Sequence, residues 1–134
     1  MNGVFLVLGA IFAGVAALIH VAIFVFESVL WSRPATWKRF GVRSQEDADV
    51  LRPMAYNQGF YNIFLALGAV VGILMIGSES VRQGGIALTI FSLLSMLLAS
   101  IVLVSSNPRL ARAAMFQGLA PALGIVFLVL SLLG

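Results

Sequence analysis

Apolar residues run along this chain in four long blocks with hardly a polar break: Val4–Phe26, Ala55–Ile76, Gly84–Val104 and Ala113–Leu133. As helices, all four are long enough to cross a hydrocarbon core of about 30 Å, which takes roughly 20 residues. Helices of a water-soluble bundle carry polar outer stripes at 3.6-residue spacing. These blocks carry almost none. The pattern predicts an all-α fold, an integral membrane four-helix bundle forming a single transmembrane domain over residues 1–134. The first helix is expected to run on to about residue 30, with the other spans at 55–76, 84–104 and 113–133. The first block lacks a basic leading region and is longer than the roughly 7–15-residue apolar core of a signal peptide, so it is expected to be retained.

Only one connection is sizeable. Between spans one and two, Pro34 can open a short helix, and Trp37 and Phe40 share a face beside Lys38 and Arg39. That is the pattern of a short interfacial helical segment lying on the membrane surface. Ser44-Gln45-Glu46-Asp47 resembles a capping box opening a helix with an acidic first turn, and Pro53 should end or kink that helix. Gly77–Gln83 and Asn107-Pro108 read as short turns.

Composition agrees: 61% of residues are hydrophobic and 10% charged, with a mean hydropathy of +1.09. The absence of cysteine excludes disulfides, thiolate metal sites and a cysteine nucleophile. A net charge of +3 and a pI near 10.2 would point to nucleic acid in a soluble protein. Here the basic residues flank spans, so they set topology and meet anionic headgroups, and no nucleic acid is expected. Loop 32–54 holds Arg33, Lys38, Arg39, Arg43 and Arg52, loop 105–112 holds Arg109 and Arg112, and the opposite side holds only Arg82. The positive-inside rule makes those two loops cytoplasmic and puts both termini outside.

Polar groups inside spans are costly and draw attention to themselves. In span one, Gly9, Ala13, Ala16, His20 and Glu27 fall within about 40° of one helical stripe, so a neighbouring helix is brought against the face that carries the His and Glu. Glu27 is expected at the cytoplasmic end, with His20 about 10 Å deeper. Asn57, Gln58, Tyr61 and Asn62 open span two over an arc of about 140°, and the bare backbone of Gly59 permits close approach beside them. Ser100, Ser105, Ser106 and Asn107 end span three, and Gln117 stands near the start of span four. All four helices thereby offer polar groups to one leaflet, which predicts a pocket there. Gly68-x-x-x-Gly72, Gly118-x-x-x-Ala122 and Ala120-x-x-x-Gly124 are small-residue faces for packing within the bundle or between copies in a homo-oligomer.

His20, Glu27, Trp31, Phe40 and the run Asn57-Gln58-Gly59-Phe60-Tyr61-Asn62-Ile63-Phe64-Leu65-Ala66 resemble a family of small bacterial membrane proteins catalogued as domain of unknown function 1304. The resemblance covers essentially the whole chain and implies four helices in a bacterial inner membrane. It brings no substrate or reaction.

The residues themselves support a graded reading. His20, Glu27 and Tyr61 are the candidate catalytic groups, with His20 as a general base or, as a lesser option, an axial haem ligand. Asn57, Gln58, Asn62, Trp31, Asn107 and Gln117 are the candidate ligand-binding set, although Trp31 also suits an interface belt. Against these stand plainer roles: His20 as an interhelical hydrogen-bond partner, Glu27 paired with Arg33, Lys38 or Arg52, and the amides as helix-bridging groups. No metal site and no phosphate loop is expected. The leading function is acid–base chemistry (isomerisation, cyclisation or hydration) on a lipophilic small molecule drawn from the bilayer. The alternatives are a proton-coupled transporter subunit and an assembly protein whose polar cluster fixes helix register.

Overall fold

A computed structural model describes all residues, 1–134. Helix α1 spans Gly3–Phe24 and continues through a π-helical turn, Val25–Val29. A one-turn helix α2, Pro34–Trp37, runs into a 3₁₀ turn, Lys38–Phe40. Then follow α3, Gln45–Ile76, α4, Arg82–Ser106, a 3₁₀ turn at Pro108–Leu110, and α5, Ala111–Leu133. There are no strands.

Local signals explain the boundaries. Asn2 caps α1 by accepting from the Val4 and Phe5 amides, Pro34 occupies the first turn of α2, and Ser44 accepts from the Asp47 amide to open α3. Gly41, with φ of 80°, closes the 3₁₀ turn in the left-handed region that glycine enters without strain. Pro53 does not end a helix. Helix α3 continues through it as one 32-residue element, because only the i−4 hydrogen bond is lost there, and the acidic N-terminal segment is joined directly to the span.

Helix α1 packs on α3 and α5, and α4 closes the ring between α3 and α5, so consecutive long helices are neighbours. Both termini meet at one end, where the Asn2 amide donates to Ser131 O at 3.0 Å. The basic loops lie at the other end. The glycines set the helix spacing. A side chain at Gly9 would strike Leu128, one at Gly72 would strike Thr89, one at Gly118 would strike Ser100, and one at Gly124 would strike Leu93. The small-residue faces are thus used inside one chain.

The long helices remain apolar on their outsides. No more than 33% of any span's most apolar window is buried within the chain, although each helix is long and apolar enough to cross a membrane. Leu18, Leu74, Phe91 and Phe116 project outward. An aqueous surface of this kind would be untenable, and a lipid one supplies the missing contacts.

Candidate functional site

The candidate site lies at the basic-loop end, where the backbone of two helices departs from regularity. In α1, the π turn carries Glu27, and Leu30 N reaches back five residues to Val25 O at 2.9 Å. Such single π turns recur at functional sites because they re-aim one side chain. In α5, Pro121 has no N–H to offer the carbonyl of Gln117 four residues earlier, which leaves that oxygen without its regular helical partner.

Glu27 Oε2 accepts from Asn62 Nδ2 at 3.0 Å, and the same amide donates to Gln58 O at 3.0 Å. Asn62, rather than a basic side chain, is therefore the partner of the carboxylate. One residue on, Ser28 Oγ donates to Tyr56 O at 2.8 Å, tying the π turn to α3 a second time. This is possible because Gly59 lets the two backbones approach: its missing Cβ would overlap the Ser28 side chain.

Around this pair is a cavity of about 220 Å³. Its polar lining is Glu27, Gln58, Tyr61, Asn62 and Gln117, and its apolar walls include Ile23, Phe40, Leu65 and Leu103. Five of the nine sequence candidates are therefore brought together from α1, α3 and α5. The arrangement pairs one carboxylate with three carboxamides and a phenol at the mouth of an otherwise apolar cleft, a donor and acceptor set able to hold a carbonyl or hydroxyl and exchange a proton with it.

The other four candidates lie elsewhere. His20 is buried at 1% exposure, its Nδ1–H donates to Ala16 O at 2.9 Å in its own helix, and it lines neither this cavity nor the adjoining one. Trp31 is buried and its Nε1 donates to Ala48 O at 2.8 Å, fixing the interfacial segment to the start of α3. Asn107 caps the 3₁₀ turn by accepting from the Arg109 amide. Asn57 is exposed on α3 and lines neither of these two cavities. Ser100, Ser105 and Ser106 spend their hydroxyls on carbonyls of their own helix.

Sequence reasoning missed Ser28 and the apolar walls. Ile23, Leu65 and Leu103 are indistinguishable in sequence from lipid-facing residues, and only Phe40 carried a cue, its three-residue spacing from Trp37. Trp37 holds a second surprise: its Nε1 is buried without a hydrogen-bond partner, while Lys38 Nζ sits 5.6 Å from the ring centre.

Four apolar spanning helices with a polar cleft at one end define a multi-pass helical membrane protein. The chain belongs to the family described as protein of unknown function (DUF1304), whose model matches residues 14–129. No curated protein and no solved structure matches it.

Proposed function

We propose that the cleft at the basic-loop end binds a lipophilic small molecule and that Glu27 transfers a proton to or from it. The observation that carries this reading is the Glu27–Asn62 hydrogen bond, which faces a cavity and is set on a π turn. A carboxylate used only to join helices gains nothing from an open space beside it. A carboxylate that handles a substrate proton needs that space. In this reading Asn62 orients Glu27, and Gln58, Tyr61 and Gln117 hold the polar part of the substrate. The reaction class is proton transfer without a redox cofactor, as in isomerisation, cyclisation or hydration.

Support comes also from size. The cleft adjoins a second cavity of about 360 Å³, sharing Ile23, Phe40, Leu103 and Gln117 with it. The larger of the two lies within the ~300–1,000 Å³ typical of small-molecule sites. A transport route is less well supported. Toward the termini, Thr89 and Ser95 bond their hydroxyls to carbonyls of α4, and Thr89 and Ser92 are packed against Gly72 and Gly68, so no polar path continues there.

The test is mass spectrometry of lipophilic molecules that co-purify with the protein in mild detergent. A compound enriched on the wild type should be lost from Asn62→Leu. On Glu27→Gln it should persist, or be replaced by its unreacted precursor. Identical profiles for all three proteins, each with native helical content, would overturn the reading.

A further inference from the structure

The second cavity differs in chemistry from the cleft that it adjoins. It lies between α1 and α5 beneath the 3₁₀ turn, with Arg39 and Arg112 at its edge. No acidic side chain lines it. Arg39 holds its guanidinium 5.1 Å from the centre of the Phe26 ring, which leaves its donors free. Below the two cations the wall is apolar: Ile19, Ala22, Phe26 and Phe116. Ile19 and Phe26 are seven residues apart on one helix, so the groove descends about 10 Å from the level of the charges into the hydrocarbon region.

We propose that this groove binds one anionic phospholipid, its phosphate between Arg39 and Arg112 and an acyl chain along Ile19, Ala22 and Phe116. Charge complementarity identifies the occupant. Two unpaired guanidiniums at a membrane boundary call for an anion, and guanidinium matches phosphate through paired N–H donors. The apolar descent calls for a chain attached to that anion. Basic pockets between helices on the cytoplasmic side are recurrent headgroup sites. A neutral lipid would leave the charges unmet, and free phosphate would leave the groove unfilled.

The inference involves no turnover, but its occupant lies beside the Glu27 cleft, with which the groove shares Ile23, Phe40, Leu103 and Gln117. Its test uses Trp31, whose ring lies 5.5 Å from that of Phe40, a residue of the cavity wall. In a Trp37→Phe background Trp31 is the sole tryptophan. The protein is placed in phosphatidylcholine nanodiscs, and its fluorescence is quenched with brominated phosphatidylglycerol or brominated phosphatidylcholine. Phosphatidylglycerol should quench at lower mole fraction, and Arg39→Gln and Arg112→Gln should each weaken that preference about fivefold. Ala22→Phe, which narrows the groove and keeps both charges, should weaken quenching as well. Equal quenching by the two lipids would overturn the proposal, as would a preference unchanged in the double arginine variant or displacement of the lipid by inorganic phosphate. An equal loss in Arg109→Gln, a cation outside the cavity, would reduce the effect to general surface charge and also overturn it.

Discussion

Gly59 and Ser28 meet where α3 crosses the π turn of α1, so closely that a methyl group on Gly59 would occupy the space of the Ser28 side chain. The Ser28 backbone nitrogen would lie only 3.1 Å from that methyl. The contact holds Tyr56 O in reach of the Ser28 hydroxyl and keeps Asn62, one turn on, beside Glu27. Gly59→Ala should therefore destabilise the bundle by about 1–3 kcal/mol, the usual cost of overpacking. Ser28→Ala in the same chain should restore only part of it, because the backbone clash remains. Thermal unfolding followed by circular dichroism in detergent would measure both.

The value of small residues was legible in the sequence, because a glycine in a span has few other uses. The four spans, the short interfacial helix at Pro34 and the Ser44 cap followed equally from hydropathy, proline placement and capping chemistry. The site was half legible. Glu27, Gln58, Tyr61, Asn62 and Gln117, which line the candidate cleft, stood out because they are polar in or beside apolar blocks. His20 satisfied the same criterion and yet turns to its own helix, since a carbonyl four residues back is as good an acceptor as any neighbour. Nothing in the sequence distinguishes those outcomes. Nor does periodicity reveal a π turn, which shifts every later residue's direction by a fraction of a turn. That is how Glu27 comes to face Asn62 and a cavity while His20, on the same ideal stripe, lines neither cavity.

The two tryptophans of the interfacial segment should respond oppositely to the same change. Trp31→Phe removes a hydrogen bond to Ala48 O and should cost about 1 kcal/mol. Trp37→Phe removes a buried donor that has no partner, so it should be neutral or stabilising, because the desolvation of that N–H is no longer spent for nothing. Unfolding midpoints of the two variants would decide it, and a larger loss for Trp37→Phe would overturn the expectation.

The charge distribution predicts an orientation, and the chain is suited to testing it because it contains no cysteine. Both Ser32 and Glu79 are exposed, at opposite ends of the bundle. In intact bacterial cells, Glu79→Cys should react with a membrane-impermeant maleimide, whereas Ser32→Cys should react only after the membrane is opened. The reverse pattern would mean that the basic loops face outward, against the positive-inside rule. It would also place the Glu27 cleft on the outer side.

Burial of His20 leads to a final expectation about which ionisable group carries function. The imidazole donates to Ala16 O and lines neither cavity, so its expected contribution is volume and one local hydrogen bond. Leucine has nearly the same volume and adds no polar atom. His20→Leu should therefore change stability by less than about 1.5 kcal/mol, as volume-conserving core swaps do. His20→Ala should cost about 2–4 kcal/mol through the cavity that it leaves. Neither should alter the lipophilic molecules that co-purify, whereas Asn62→Leu, which removes the only side-chain partner of Glu27, should. If His20→Leu folds normally but loses the bound molecule, the imidazole acts on the ligand after all, and the proton-handling role moves from the π turn to the bundle interior.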